Sequence, residues 1–315
     1  MTEQRTIPIL RDEDVERHLT MREAVEIMTE AFRLHGRGKL TGPARPVVDV
    51  GNGQLVFTCG GVSDEQPSVG FRVYDLGQIG SPERDEVVAV FDATNGALKG
   101  LTVGPLLGAM RTGAIGGAAV DALARRDAKC LGIIGTGYQA RTQLTAALSV
   151  RAFERILVFS RSAENRSGFA AEMTKKTGRP IEATTSVEPI VESADVLICA
   201  TNSAEPVVDP SRLKTGVHIN HIGPKFTDAQ ELPLTIADAC DFLVTDTLAQ
   251  AEDFGARFIL AGTPHYAQLV ELSAIVAKSH PGRQSPEDKT LFYSLGLAAT
   301  EVILADRLLE KTRIV

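Results

Sequence analysis

The sequence predicts an α/β protein in which a Rossmann dinucleotide-binding domain is combined with a discontinuous α+β domain. From about residue 128 onward, continuous apolar segments alternate with helical segments, a pattern typical of a parallel sheet covered on both faces. Between residues 41 and 92 the apolar runs are short and separated by Gly and Pro, which indicates an antiparallel or mixed sheet. We expect the Rossmann domain at 119–289 and the other domain at 1–118 and 290–315.

Length and composition limit the function classes. The chain has 315 residues, 43 % of them hydrophobic and 23 % charged, which predicts a two-domain globular protein. A net charge of −7 argues against a nucleic-acid partner. No apolar run approaches the ~18 residues that span a bilayer. The N-terminus has no secretory signal, and four dispersed cysteines fit reduced thiols, so we expect a cytoplasmic protein.

The elements before residue 128 follow from capping and periodicity. Thr20 and Glu23 form a capping box ahead of an amphipathic helix that ends at Gly36 and Gly38. Strands are expected at 55–57, 69–73 and 87–91, followed by a small-residue helix at 109–123 that could pack closely on another helix or a cofactor.

The second half predicts five buried strands with helices between them. The strands are expected at 130–134, 156–159, 196–199, 217–222 and 242–244, and the helices at 140–149, 163–176 and 189–193. A single long amphipathic helix is expected over 289–311. Because it follows the Rossmann domain, it could return to pack on the first domain.

The sharpest local signal is a glycine-rich segment between the first of these strands and the next helix. It contains Gly135, Thr136, Gly137, Tyr138, Gln139 and Ala140. The first glycine permits a tight turn, the second lets the backbone approach a pyrophosphate, and Ala140 allows close helix–strand packing. The helix N-terminus then offers N–H groups to phosphates. These residues predict a dinucleotide site.

The end of the second strand indicates which dinucleotide is bound. An NAD site places Asp or Glu there, whereas this chain has Ser160, Arg161 and Ser162, followed by Asn165 and Arg166. A guanidinium and hydroxyl groups suit a ribose 2′-phosphate. We therefore expect NADP(H) to be preferred, with NAD(H) possible; the alternative is that Arg161 is a solvated loop residue.

Six segments, including the glycine-rich one, resemble the ornithine cyclodeaminase/μ-crystallin family, in the family's order and over most of the chain. They are Phe91–Gly96, Met110–Ala114, Gly135–Ala140, Ala194–Pro206, Gly216–Leu232 and Ser294–Ala298. The resemblance implies a homodimer that pairs through its first domain, and a nicotinamide cofactor on the second. Members include ornithine cyclodeaminase, alanine dehydrogenase and imine-reducing enzymes such as the ketimine reductase μ-crystallin.

The resemblance also implies site residues. Arg45 and Arg111 match arginines that bind a substrate carboxylate. Arg111, Thr112 and the segment Thr201, Asn202 and Ser203 match cofactor-binding positions. Two positions depart from the family: Arg72 stands where it usually has lysine, and Lys225 stands where cyclodeaminase has a catalytic aspartate. We do not transfer that aspartate's role to Asp228.

Both departures leave two interpretations open. Arg72 is either a charge-binding site residue or one end of a structural ion pair with Asp75 or Glu86. Lys225 is either the acid of the reaction or a solvated loop lysine. His218 and His221 lie on opposite faces of a strand because their separation is odd, so no metal site is expected. Glu231 is expected to cap or orient a loop.

These residues predict an NADP(H)-dependent oxidoreductase acting on C–N bonds of an imino or amino acid: an imine or ketimine reductase, or an amino-acid dehydrogenase. The alternatives are an NAD-dependent cyclodeaminase-type lyase that releases ammonia, and a non-catalytic NADPH-dependent binding protein. If Arg45, Arg72, Arg111 and Lys225 converge, the pocket is unusually cationic. Such a pocket disfavours ornithine and lysine and favours a substrate with a second acidic or neutral polar end.

Overall fold

A computed structural model describes residues 6–51, 53–75 and 85–313 of the chain. The chain divides into two compact units, unit 1 comprising Met1–Arg111 and Leu297–Val315 and unit 2 comprising Thr112–Gly296. These boundaries differ by seven residues from those expected, after 118 and 289. Among the described residues, no helix has the length and apolar character needed to cross a membrane.

Unit 1 contains a mixed sheet. In chain order its elements are β1 (Ile9–Leu10), α1 (Asp12–His18), α2 (Met21–Gly36), β2 (Leu40–Thr41), β3 (Val47–Asp49), β4 (Gln54–Val62), β5 (Ser68–Asp75), β6 (Glu86–Asp92), β7 (Leu98–Val103) and the first part of α3 (Leu106–Leu123). In the sheet, β1 joins β7 in parallel and the other pairings are antiparallel. The boundary between the units falls inside α3, after Arg111. The capping box is confirmed, since the backbone N–H of Thr20 donates to Glu23 over 2.9 Å.

Unit 2 contains the remaining strands. In chain order its elements are β8 (Cys130–Ile134), α4 (Tyr138–Val150), β9 (Arg155–Phe159), α5 (Ala163–Thr177), β10 (Glu182–Ala183), α6 (Glu188–Ser193), β11 (Val196–Cys199), β12 (His218–His221), β13 (Lys225–Phe226), β14 (Ala229–Gln230), β15 (Phe242–Thr245), α7 (Leu248–Phe254), β16 (Val270–Glu271), α8 (Leu272–Val276) and β17 (Thr290–Tyr293). The final helix, α9 (Thr300–Arg313), belongs to unit 1.

The prediction of one continuous helix over 289–311 is wrong. Residues 290–293 form β17, which pairs in parallel with both β12 and β15 at the centre of the unit 2 sheet. Its side chains are fully buried, and a buried apolar run of four residues cannot be assigned to strand or helix by periodicity alone. Only the part from Thr300 onward is helical.

The unit 2 sheet has the strand order β10-β9-β8-β11-β12-β17-β15-β16, with all neighbours parallel. Alternate residues of β8 contribute to two separate apolar clusters: Cys130 and Ile134 to one, Leu131 and Ile133 to the other. The sheet is therefore covered on both faces, and the predicted Rossmann architecture is confirmed. The strand order reverses between β8 and β11, the point at which such sheets bind ligands beyond their carboxyl ends.

The unit 1 sheet is covered by α9 on one face. Along β5, Ser68, Gly70, Arg72 and Tyr74 are buried, while the residues between them are exposed or half-buried. Helix α9 contacts β4 to β7, and its residues 300–306 are almost completely buried. This face brings the α9 side chains against the inward side chains of β5 and β6, including Arg72.

Candidate active site

The glycine-rich loop has the geometry that a pyrophosphate requires. Gly135 follows β8 with φ +114°, and a Cβ there would collide with the carbonyl oxygen of Ala200. Its N–H donates to the Phe159 carbonyl over 2.9 Å. The loop is thus tied to the carboxyl ends of β9 and β11, on either side of β8.

The second glycine differs from the first. Gly137 is the N-cap residue of α4, without a side-chain cap, and a Cβ built there has nothing described within 4 Å. Ala140, one turn later, is fully buried. Open space in front of a helix N-terminus fits a phosphate group, because the backbone can approach it closely and the helix dipole favours negative charge. The residues present therefore fit a dinucleotide.

An arginine that sequence reasoning missed fixes this loop. Arg141 Nη1 donates to the carbonyls of Thr136 and Gly137 over 2.6 and 3.1 Å. Its Nη2 pairs with Glu172 of α5 at 2.6 Å and lowers the pKa of that carboxyl. The available signal was its position in the first turn of α4, where an arginine reaches back to loop carbonyls. Tyr138 and Gln139 lie exposed and half-buried in the same turn.

After β9, some of the expected ribose-binding residues form hydrogen bonds within the chain, whereas the Arg161 side chain forms none with the described residues. Ser162 caps α5 by accepting the Asn165 N–H over 3.1 Å, so these two residues have a structural role. Arg166 donates to the Ser160 carbonyl over 3.1 Å. The Arg161 side chain is exposed and makes no hydrogen bond or ion pair with the part of the chain that the structure describes.

Glu231 organises the ends of β11 and β12, as expected of a loop-orienting residue. It is fully buried and accepts from the N–H and hydroxyl of Thr201 over 2.7 and 2.8 Å, and from the N–H of Gly223. Thr201 Oγ1 in turn accepts the Ser203 N–H over 3.1 Å, whereas Asn202 is exposed. Burial raises the pKa of Glu231 in spite of these hydrogen bonds.

Lys225 is buried, so the interpretation as a solvated loop lysine is wrong. Its ammonium donates to the carbonyls of Ile222 and Ser294, each over 3.0 Å. Lys225 is the first residue of β13, four residues after the end of β12, and β13 pairs with β14 in an antiparallel hairpin. Asp228, at the exposed turn of this hairpin, lies 3.8 Å from Arg257.

The two strand histidines are buried and neutral. His218 bonds to Thr290 and Asn220, over 2.8 and 2.9 Å. Burial lowers the pKa of His218 to about 3. His221 bonds to the Pro224 carbonyl over 2.9 Å, and burial also lowers its pKa, well below the ordinary value.

The part of α3 that belongs to unit 2, from Thr112 onward, packs closely against α4 through its glycines, as expected. A Cβ at Gly113 would meet Thr142, and one at Gly116 would meet Gln143, both on α4. Gln143 donates to the carbonyl of Thr112 over 3.0 Å, so this expected cofactor residue is anchored to α4.

In unit 1, two arginines and two glutamates form a buried network. Arg72 donates from Nε to Glu86 over 2.8 Å and from Nη1 to Glu301 over 2.9 Å. Arg111 Nη2 donates to the same Glu301 oxygen. All four side chains are at most 8 % exposed. Of the partners considered for Arg72, Glu86 is the one that pairs with it.

Arg45 adds a third positive charge near this network. Burial opposes ionisation of Glu301, but Arg111, Arg72 and Arg45 outweigh it and lower its pKa to about 2. Three guanidinium groups and two carboxylates leave a net charge of about +1. Glu86 and Glu301 therefore offset two of the three positive charges of these arginines, and a cationic pocket that also includes Lys225 stays a prediction.

Arg111 keeps part of its hydrogen-bonding capacity. Its guanidinium is buried, and its Nε has no hydrogen-bond partner among the described residues. A buried donor without a partner is costly, so such a group indicates a place for an acceptor. A carboxylate is the acceptor that a guanidinium binds best.

Glu301 is a second residue that sequence reasoning missed. It lies three residues after Ala298 and three before Leu304, on the apolar side of the predicted final helix. A single acidic residue among Ala299, Val302 and Ile303 is the available signal, because a charge on a buried face needs a partner.

Comparisons with known proteins identify the family of the chain. The profile of the ornithine cyclodeaminase/mu-crystallin family matches residues 6–313. A Delta(1)-pyrroline-2-carboxylate reductase from Bacillus cereus is 34% identical over 238 residues, which are 74% of this chain and 73% of the relative.

Two solved structures share the fold over nearly the whole chain. Thermococcus litoralis Delta(1)-pyrroline-2-carboxylate reductase, in complex with NADH and L-proline, is 33% identical with a TM-score of 0.85 over 97% of both chains. An archaeal alanine dehydrogenase dimer with bound NAD is 26% identical with a TM-score of 0.85 over 98% of this chain and 97% of the other. The resemblance found in the motifs is confirmed, and the chain belongs to the ornithine cyclodeaminase/mu-crystallin family.

Proposed function

We propose that this protein is an NAD(P)H-dependent reductase of small imino acids, which in reverse oxidises the corresponding amino acid. The observation that carries the proposal is a Rossmann unit with a fitting phosphate loop in the same chain as a buried arginine, Arg111, whose Nε lacks a partner among the described residues. The relatives named as Delta(1)-pyrroline-2-carboxylate reductases support this class of substrate.

Different residues bind the substrate, bind the cofactor and donate the proton. Arg111 binds the substrate carboxylate, and the loop from Gly135 to Ala140 binds the cofactor pyrophosphate. When bound, the reduced nicotinamide supplies the hydride that converts the C=N bond to an amine. Lys225, buried as an ammonium between two carbonyls, supplies the proton to the nitrogen.

A substrate screen tests the proposal. The purified protein is supplied with NADPH or NADH and with Δ1-pyrroline-2-carboxylate, with pyruvate plus ammonia or methylamine, or with oxaloacetate plus ammonia. We expect cofactor oxidation with at least one imine, a large rise in KM for Arg111→Met, and loss of turnover with unchanged NADPH binding for Lys225→Met. Absence of turnover across the panel, with NADPH bound, would instead favour a non-catalytic binding protein.

We further propose a preference for NADP(H) over NAD(H). Arg161 is exposed at the end of β9 without a partner in the described ranges, and a guanidinium there suits a 2′-phosphate. Arg161→Ala should weaken NADPH binding about 10- to 100-fold, the range of a charge-assisted hydrogen bond, and leave NADH binding unchanged. An equal loss for both cofactors in fluorescence titrations would refute the assignment.

The outer face of the unit 1 sheet supports a homodimer. Leu55, Val69 and Phe71 are 36 to 44 % exposed on neighbouring strands, and the Phe71 ring lies 6.3 Å from that of Phe91. A contiguous apolar face of this kind is typical of an interface. We propose that two copies pair through it, and a monomer mass by light scattering at micromolar concentration would exclude this assembly.

A further inference from the structure

Arg72 differs from Arg111 in how its donors are used. Every guanidinium nitrogen of Arg72 donates to a glutamate, Nε and Nη2 to Glu86 and Nη1 to Glu301. Its guanidinium carbon also lies 4.1 Å from the centroid of the Tyr74 ring. Arg111, in contrast, gives Nη2 to Glu301 and leaves Nε unpartnered among the described residues.

We propose that Glu86, Arg72 and Glu301 form a fixed scaffold that presents Arg111 to a single substrate carboxylate, and that its two glutamates make this cluster reject a second carboxylate. The inference rests on the proposed function and deepens it. Glu86 and Glu301 are positioning and specificity-determining residues, and Arg72 is part of the scaffold and does not itself bind the substrate.

The position of Glu301 explains the scaffold. One of its oxygens receives both Arg72 Nη1 and Arg111 Nη2, so the two guanidinium groups are held together in spite of their like charge. Glu86 holds Arg72 from the other side, through Nε and Nη2. Arg72 can therefore not turn toward a ligand without leaving buried carboxylates unpaired, which is strongly unfavourable.

Charge explains the specificity. Within unit 1, Arg45, Arg72 and Arg111 with Glu86 and Glu301 carry a net charge of about +1, which one carboxylate neutralises. The Lys225 ammonium of unit 2 is assigned to the substrate nitrogen and is counted there. A second carboxylate brought to the same cluster finds no excess positive charge to offset its loss of hydration. The cluster thus favours substrates with one carboxylate and a neutral remainder over dicarboxylates.

Isothermal titration calorimetry on the protein saturated with NADP⁺ tests the inference. The probes are L-asparagine and L-aspartate, which have nearly the same shape and differ by one negative charge, with L-alanine as the smallest member. In the wild-type protein, we expect L-asparagine to bind at least about tenfold more tightly than L-aspartate. Equal or tighter binding of L-aspartate overturns the inference.

Variants then assign the effect to the glutamates. Glu301→Gln keeps the shape but raises the net charge to about +2, so it should reduce the asparagine-to-aspartate ratio about tenfold, and Glu86→Gln should act in the same direction. Glu301→Asp keeps the charge and should retain the wild-type ratio. A ratio unchanged in both glutamine variants overturns the inference, since loss of a merely structural contact would weaken both ligands alike.

Two controls keep the outcomes separate. If the glutamine variants fail to fold, the wild-type ratio alone decides. If NADP⁺ binds but none of the three amino acids does, this inference fails, and turnover in the imine screen decides the proposed function separately. Binding of the amino acids with the wrong ratio contradicts the specificity assignment and leaves the proposed function standing.

Discussion

Units 1 and 2 each contain a proposed anion-binding site, and the two sites are built by different physical means. Unit 1 uses side-chain charges, with Arg72 and Arg111 buried beside Glu86 and Glu301. Unit 2 uses the backbone, with two glycines and the N-terminus of α4, and Arg141 donates to the loop carbonyls. A charged cluster favours the anion whose charge it balances. A backbone loop favours a group, such as a phosphate, that can come close to its N–H groups.

The two units also differ in the ionisation state of a buried titratable side chain. Unit 1 buries an ionised carboxylate, Glu301, whose pKa is lowered to about 2. Unit 2 buries His218 in the neutral form, with its pKa lowered to about 3. The two units should therefore respond to different substitutions and to different ranges of pH.

The largest effect on the free energy of unfolding is expected from a Gly→Ala substitution in the glycine-rich loop of unit 2. Gly135→Ala should destabilise the fold by roughly 4 kcal/mol, because it combines a positive φ with a collision against the Ala200 carbonyl. Gly137→Ala is the matched control, since its Cβ meets nothing described. It should leave the midpoint of urea unfolding unchanged and weaken NADPH binding instead. Equal destabilisation by both substitutions would contradict this division of roles.

Removing the charge of Glu301 should have the next largest effect on unfolding. Because the folded pKa is about 2 and the ordinary value is 4.5, ionised Glu301 contributes stability above pH 4.5 that is lost as the pH falls toward 2. We expect Glu301→Gln to cost about 3 kcal/mol at pH 7, with a smaller cost at pH 3.5. Urea unfolding at both pH values measures it, and a cost independent of pH would show that charge is not the cause.

A smaller effect is expected for unit 2 at mildly acidic pH. His218 is neutral when folded and takes up a proton on unfolding below pH 6.5, so its contribution is present above pH 6.5 and is lost as the pH falls toward 3. From pH 7 to pH 5 this loss should be about 2 kcal/mol. His218→Gln should lower stability at pH 7 but reduce its dependence on pH in this range. An unchanged slope would mean that His218 is not the titrating group.

The glycine-rich loop of unit 2 was easier to predict from the sequence than the arginine–glutamate cluster of unit 1. The loop, its strand and its helix were readable because Gly135, Gly137 and Ala140 are tied to local geometry that neighbouring residues specify. The Glu301 contacts join residues 190 and 229 positions apart, and no local pattern encodes such a pairing. Strand β17 was missed for a related reason, since its pairing with β12 and β15 is what distinguishes it from a helix.

The proposed net reduction of an imine is the central claim, and the stoichiometry of the reaction tests it most directly. With Δ1-pyrroline-2-carboxylate and NADPH, the account predicts one proline formed and one NADP⁺ formed for each imine consumed, with no ammonia released. The same protein supplied with L-ornithine and NAD⁺ should form no proline. Formation of proline and ammonia from ornithine without net change in the cofactor would contradict the account and assign the protein to the cyclodeaminase reaction.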